Sequence, residues 1–326
     1  MRITVVGAGA MGTLVAARLS SAITPNATDE DDPGARPSQV VLYGRPSAHL
    51  DTIARDGATL TERDGSTSVI RIHATSDPAE VEGSDLLICL VKAWASGESV
   101  APLKSYLTRD TIVLTLQNGL GNAAQLRSAL LHDGVRPHVW LGVTTQAAIR
   151  TAPGAITHTG SGITVIGRKS SEVNPRLREA ASTMTNGAWK TAAVEDIHRW
   201  VWRKLAVNAA INPITALAGV PNRAIRENSE LQKAAKIIAS EVAAVATARG
   251  ISLDARELIA AVNGVAEATG DDRSSMLVDL EHGSRTEIEA INGAIVSEAR
   301  RERIPVPANQ LMTALVRARE RHQAAK

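Results

Sequence analysis

The chain begins MRITVVGAGAMG, in which an apolar run, Ile3 to Val6, passes directly into Gly7-x-Gly9-x-x-Gly12 and then into the helical pattern TLVAARLSSA. No other feature restricts the fold so much, because each glycine has its own steric task. Gly7 permits a tight turn off a strand, Gly9 lets the backbone approach a pyrophosphate closely, and Gly12 lets a helix pack against a sheet. A helix starting near Ala10 would aim its unpaired N–H groups and positive dipole end at that turn, which suits a phosphate. Glycines at this spacing also occur in ordinary turns. With a strand before and a helix after, dinucleotide binding by Gly7, Ala8, Gly9, Ala10, Met11 and Gly12 is the expectation.

Similar apolar runs recur at Val40–Tyr43, Leu86–Val91 and Ile112–Leu116, with helical patterns between several of them. That alternation predicts an α/β fold with a Rossmann-type, doubly wound parallel sheet. A strand around Val139 to Thr145 and a hairpin-like stretch, ITHTGSGITVIG at 156–167, would extend or close it. From Glu195 the chain becomes Ala-rich and helical in period. The expected division is therefore 1–194 for the nucleotide-binding domain and 195–326 for an all-α C-terminal domain, with ligand in the crevice between them.

One stretch, Thr24 to Gln39, is rich in Pro, Gly and acid and reads as a solvated loop. Counting about 20 residues beyond the glycines lands on Asp32, where a ribose-binding acid would be sought. The ribose contact must come from the end of the second strand, however, and QVVLY lies downstream. Gly44 and Arg45 end that strand, with Ser47 close behind. A guanidinium there suits a 2′-phosphate, whereas a carboxylate would repel it, so NADP is favoured over NAD. The plainer alternative is an arginine in solvent at a strand end.

Two further strand ends carry polar residues, Lys92-Ala93-Trp94 and Gln117-Asn118-Gly119-Leu120-Gly121. Lys92 could contact a cofactor, and Asn118 could bond cofactor or substrate; ordinary strand-to-helix turns are the competing view. Downstream, Lys204, Asn208 and Asn212 stand four apart in WVWRKLAVNAAINPITALAGVPN and share one helical stripe. Their neighbours are apolar, so a buried helix with a ligand-facing stripe is the expectation, the alternative being a lysine paired with an acid on a surface helix. Pro213 is expected to break the helix ladder. In SSMLVDLEHGSRTEIEAING, Ser275 reads as an N-cap and Glu287 as a solvated helix residue. Their other readings are a hydroxyl for substrate and an acid that orients Lys204 or binds the ribose.

Composition narrows the classes. Hydrophobic residues are 44% and charged residues 21% of 326, as in soluble globular proteins. With 36 basic and 34 acidic side chains, the net charge of +2 suggests no nucleic-acid partner. The single cysteine, Cys89, lies in LLICLV and reads as a buried small hydrophobe, so neither a disulfide nor a cysteine metal site is expected. No basic-then-apolar leader precedes the first strand and no apolar run is long enough for a membrane span, so a cytoplasmic enzyme is expected.

The residues together resemble the ketopantoate reductase (2-dehydropantoate 2-reductase) family over nearly the whole length. The resemblance is carried by VVGAGAMG, Arg45, VKAW at 91–94, QNGLG at 117–121, WRKLAVNAAINPITAL at 202–217, PN at 221–222, and SSMLVD with RTEIEAING within 274–293. It implies NADPH-dependent reduction of ketopantoate to (R)-pantoate, on the way to pantothenate and coenzyme A, with Lys204 as general acid. It implies substrate contacts from Asn118, Lys204, Asn208, Asn212, Asn222 and Ser275. Cofactor contacts are implied for the glycine loop, Arg45, Lys92, Asn118, Ala148 and Glu287. The Thr24–Gln39 insertion departs from the family pattern. Rival readings are a related reductase of another branched 2-oxo acid and a non-catalytic NADP sensor. Expected partners are a small 2-oxo acid, with no nucleic acid and no membrane; a homodimer through the helical domain is one assembly to test.

Overall fold

The computed structural model describes residues 1–22, 38–168 and 173–324. Most of the Thr24–Gln39 loop, Asp32 included, therefore lies outside the described residues. The chain divides into two compact units, Met1–Gln117 with Asn122–Ile197, and Asn118–Gly121 with His198 to the C-terminus.

The first unit is built on β1 (Arg2–Val6), β2 (Gln39–Tyr43), β3 (Ala58–Thr61), β4 (Thr67–Ile70), β5 (His73–Thr75), β6 (Leu86–Cys89), β7 (Ile112–Thr115), β8 (His138–Thr144), β9 (Ala147–Ala152), β10 (Ala155–Gly160), β11 (Thr164–Gly167) and β12 (Thr191–Val194). The larger sheet runs β12-β11-β8-β7-β6-β1-β2-β5. It is parallel from β5 to β8, while β11 pairs antiparallel with β8. Strands β1, β6 and β7 are apolar and buried almost throughout because the sheet is covered on both faces. Cys89 is part of that core, and burial pushes its thiol up to about 12, which removes it as a nucleophile. The chain leaves β1 toward β2 on one side and returns to β6 on the other. That reversal puts a topological switch point where the glycine turn follows β1.

The hairpin expected at 156–167 takes a different form. Its halves enter different sheets: β10 joins the smaller sheet, β4-β3-β10-β9, while β11 joins the larger one. The actual reversal is at Pro153-Gly154, where Gly154 has φ +73° and an added Cβ would lie 2.4 Å from Thr52 Cγ2. From there β9 pairs with β10, and β8 with β11, as one long ribbon bent between sheets. The bend is held at Thr145, whose N–H donates to Ile163 O and whose Oγ1 accepts from Ile163 N–H. Gly160 and Gly162 mark that bend, not the turn.

The helices of this unit are α1 (Ala10–Ser21), α2 (Ala48–Asp56), α3 (Ser96–Val100), α4 (Asn122–Leu130) and α5 (Pro175–Asn186). The smaller sheet is tied to α1 by charge: Arg18 pairs with Glu62 at 2.7 Å, and His158 Nδ1 lies 3.0 Å from the same carboxylate.

The second unit is helical: α6 (Ile197–Ala218), α7 (Ala224–Glu227), α8 (Ser229–Ala248), α9 (Ala255–Ala268), α10 (Ser275–Glu281), α11 (Asn292–Glu302) and α12 (Pro307–Ala324). The expected boundary at 194 and 195 falls between β12 and α6. Buried residues of α6 form one core with Ile238, Val242 and Val245 of α8, Ile295 of α11 and Val316 of α12.

Pro213 does not break α6, which continues to Ala218. A proline here removes the N–H that would bond Ala209 O. That carbonyl instead accepts from Asn292 Nδ2 at 3.1 Å, and the same amide donates to Asn309 Oδ1 at 3.0 Å. Asn309 in turn donates to Glu241, whose carboxylate also accepts the Ala308 and Asn309 N–H groups at the start of α12. A side chain from α11 thus supplies the donor the proline lacks. Asn292→Ala is expected to destabilise the protein by about 1–3 kcal/mol, because it leaves buried acceptors on Ala209 and Asn309 without their donor. Denaturant unfolding measures this; an unchanged midpoint would mean the α6 interruption is supported elsewhere.

Candidate functional site

In the first unit, β1 ends and Gly7 turns the chain with φ +112°, its N–H donating to Tyr43 O at 2.8 Å. An added Cβ on Gly7 would lie 2.9 Å from Val91 N, and one on Gly12 would lie 1.8 Å from Gly7 O. Both positions are glycine because the fold itself leaves no room. Gly9 is different. It has an ordinary φ of −91° as the N-cap of α1, and an added Cβ would meet no described atom within 4 Å. Neither packing nor backbone conformation explains it, and a group approaching the backbone from outside does. No side chain caps α1, so its first-turn N–H groups face that space. The loop therefore fits a dinucleotide pyrophosphate.

Gly44 brings the end of β2 against this loop, since a Cβ there would lie 2.9 Å from Ala8 Cβ. Arg45 follows it, exposed, and among the described residues has no carboxylate partner. Ser47 is the N-cap of α2, accepting from Leu50 N–H. Lys92 follows β6 and is half-buried. Gln117, which the sequence reading gave no role, ties the ends of β6 and β7 together: its Nε2 donates to Val91 O at 2.8 Å and Ser96 Oγ at 2.7 Å. Ala148 lies on β9, opposite His158, and packs against the core of this unit.

The remaining predicted residues lie in the second unit, which includes the short segment Asn118–Gly121. This segment is seated on the turn before α11. Leu120 N–H donates to Ala290 O at 2.8 Å, and a Cβ on Gly119, where φ is +84°, would collide with that same carbonyl. Asn118 Nδ2 donates to Glu287 Oε2 at 3.0 Å. Glu287 is buried, at 7% exposure, within a turn, so the solvated-helix reading is corrected. The turn is held by Ala290 and Ile291 N–H groups donating to Glu287 O.

Lys204 is half-buried on α6 among buried Trp202, Leu205 and Val207. Desolvation lowers its pKa to about 8, and the negative charge of Glu287 opposes that shift without cancelling it. Sequence alone left the balance between these two effects open; burial wins. The surface-helix alternative for Lys204 does not hold.

Asn208 and Asn212 lie one and two turns further along α6, half-buried and buried respectively. The end of this stripe is bonded to α10. Ser274 Oγ is 2.7 Å from Thr215 Oγ1 and donates to Asn212 O at 3.5 Å. Ser274, not Ser275, is the N-cap of α10, accepting from Leu277 N–H at 3.2 Å. Ser275 stands one position on, with an exposed side chain. Asn222 is buried in the turn after α6, with its N–H donating to Asp272 O. No cluster that could hold a metal ion occurs among the described residues.

A glycine turn shaped for a pyrophosphate, with a helical unit that holds a desolvated lysine beside asparagines, defines the class as a dinucleotide-dependent reductase. Residues 3–171 match the family described as ketopantoate reductase PanE/ApbA, and residues 196–320 match its C-terminal part. The chain belongs to the ketopantoate reductase family. It is 35% identical over 321 residues to the 2-dehydropantoate 2-reductase of Halobacterium salinarum, covering 98% of this chain and 99% of that one. Among solved structures, the PanE/ApbA family ketopantoate reductase of Ralstonia eutropha is 29% identical, with a TM-score of 0.86 over 99% of this chain and 100% of that one. A D-mandelate dehydrogenase solved with NADH and anilino(oxo)acetate is 25% identical, with a TM-score of 0.87 over 99% of this chain and 100% of that one.

The contrast between the glycines is testable. Gly12→Ala is expected to destabilise or unfold the first unit. Gly9→Ala is expected to keep the wild-type melting temperature while weakening dinucleotide binding about tenfold or more. Thermal melts with and without NADPH measure both; equal affinity in Gly9→Ala would detach that glycine from binding.

Proposed function

We propose that the protein reduces 2-dehydropantoate to (R)-pantoate with NADPH; the relatives it matches are named 2-dehydropantoate 2-reductase. The single observation that carries the mechanism is the lysine of lowered pKa set beside buried Glu287. NADPH, when bound, would supply a hydride for the C2 carbonyl carbon. Lys204 would stabilise the negative charge left on the carbonyl oxygen and give it the Nζ proton. An acid with a pKa of about 8 is largely protonated at neutral pH yet gives up its proton readily, so it is matched to this task.

Asn118, Asn208, Asn212 and Asn222 position the substrate without competing for the proton, and Ser275 offers its hydroxyl to the substrate carboxylate. The glycine loop would hold the pyrophosphate, and Lys92, Asn118, Ala148 and Glu287 are the residues proposed to contact the rest of the cofactor. Arg45, a cation at the end of β2 without a described carboxylate partner, supports NADPH over NADH.

A second reading keeps the same chemistry on another 2-oxo acid, favoured by the likeness to a D-mandelate dehydrogenase. Comparing kcat/KM for ketopantoate, 2-oxoisovalerate and a phenyl-bearing 2-oxo acid decides between them, and a preference for either of the last two overturns the first. Among the described residues no helix is long and apolar enough to cross a membrane. Cytoplasmic residence and pairing of two copies through the helical unit complete the proposal; sedimentation velocity decides the pairing.

Lys204→Ala is expected to lower kcat by about 10²–10⁴-fold while NADPH affinity changes little. Near-normal turnover would remove the lysine from the mechanism. Since the protonated amine is the active form, kcat/KM should fall as pH rises past about 8. Glu287 raises the lysine pKa, so Glu287→Gln should move that alkaline limb to lower pH; a shift to higher pH would contradict the assigned electrostatics.

A further inference from the structure

Asn222 holds a buried polar atom for which the fold itself has no use. Its side chain is 7% exposed, and among the described residues its Oδ1 has no hydrogen-bond partner. Its other amide atom is engaged: Nδ2 donates to Thr269 Oγ1 at 2.9 Å. Thr269 closes the C-terminus of α9, where its N–H donates to Val265 O at 2.9 Å and its Oγ1 donates to the same carbonyl at 2.8 Å. A hydroxyl has one hydrogen. Because that hydrogen is given to Val265 O, Thr269 Oγ1 can only accept from Asn222.

The amide is thereby oriented with Nδ2 toward Thr269 and Oδ1 away from it. The backbone reinforces the arrangement, since Asn222 N–H donates to Asp272 O at 3.0 Å and Arg223 N–H to Gly270 O at 2.9 Å, joining the two turns side by side. A side-chain amide oriented by its bond to Thr269, on a backbone fixed by two more bonds, yet left with an unpaired buried acceptor, is prepared for a donor that arrives from outside.

We infer that Thr269 is a positioning residue that fixes Asn222 as a hydrogen-bond acceptor, and that this acceptor selects 2-oxo acids bearing a hydroxyl group. The inference rests on the proposed reading of Asn222 as a substrate contact and deepens it. Ketopantoate carries a hydroxyl that can donate there, and 2-oxoisovalerate lacks it. An acceptor held buried and rigid rejects the molecule that leaves it unpaired. Without Thr269 the amide can rotate, and its NH₂ would face the ligand as often as its oxygen.

The test uses the full-length protein with Thr269→Val, which keeps the branched shape but removes the hydroxyl, and Thr269→Ser, which keeps the hydroxyl. For each, kcat/KM is measured with NADPH on ketopantoate and on 2-oxoisovalerate. In Thr269→Val the ratio between the two substrates should fall about tenfold, chiefly through KM for ketopantoate, and Thr269→Ser should restore it. A merely structural role would lower both rates together and leave the ratio alone. Independently, the Asn222 side-chain amide protons of the ligand-free wild type should be protected from exchange, and in Thr269→Val they should not. An unchanged ratio in Thr269→Val, or an unprotected amide in the wild type, overturns the inference while leaving ketopantoate reduction intact. A wild type that does not turn over ketopantoate overturns the underlying reading and the inference with it.

Discussion

The structure of the helical unit is organised around the cost of taking one ammonium group out of water. Lys204 sits on a helix many of whose residues form a core, so desolvation works against its charge. The neighbouring carboxylate of Glu287 reduces that penalty, and Glu287 is itself buried and bonded by Asn118. The consequence is an amine that is neither fully stabilised as a cation nor driven neutral. An ordinary surface lysine, at 10.5, holds its proton too strongly to be a good acid at neutral pH. Burial alone would push it lower still, so the acid is tuned by two opposed effects from separate segments.

That tuning depends on a short piece of chain. Asn118 to Gly121 follows β7 in sequence but packs with the helical unit, fixed by the Leu120 bond to Ala290 and by a glycine that Ala290 leaves no room to replace. Gln117, the residue before this segment, is bonded through its own side chain to Val91 O and Ser96 Oγ of the first unit. Two adjacent residues thus belong to different packing systems, each bonded within its own unit. Within the second unit, the Leu120 bond to Ala290 accompanies the Asn118 bond to Glu287.

Much of this was legible in the sequence, for identifiable reasons. The glycine loop, β1, β2, β6, β7 and the polar stripe of α6 follow from local pattern, because buried parallel strands and a helix with one polar stripe have distinctive periods. The strands β3, β4, β5, β9 and β12 carry no such pattern, since many of their residues are partly or fully exposed and their strand geometry comes from their partners in the sheets. The chain reverses at Pro153-Gly154 and not at the more glycine-rich Gly160–Gly162, and proline followed by glycine is the stronger turn signal of the two. Ser274 and Ser275 are chemically identical, and the one that caps α10 is the one bonded to Thr215 and Asn212 of α6. The segment around Glu287 has helical spacing but is held as a turn by bonds that cross to residues 118–121. Thr269 gave no signal, because its role consists of a single hydrogen directed at Val265.

Pro213 shows how the fold turns a local defect into a connection. In an isolated helix the lost N–H and the ring would bend or end the helix near Ala209. Here Asn292 reaches in from α11 to supply the donor, and through Asn309 and Glu241 the same network caps α12. Thr215, two residues beyond the proline, bonds back to Ile211 O and lies against Ser274 of α10. The backbone groups that the proline disturbs thus become the points at which neighbouring helices attach. Because the attachments at Ala209 and Thr215 bracket Asn212 and lie on the same helix as Lys204, they hold the polar stripe in place without a ligand. A stripe set in advance need not be ordered when substrate binds, which leaves more of the binding free energy for the transition state.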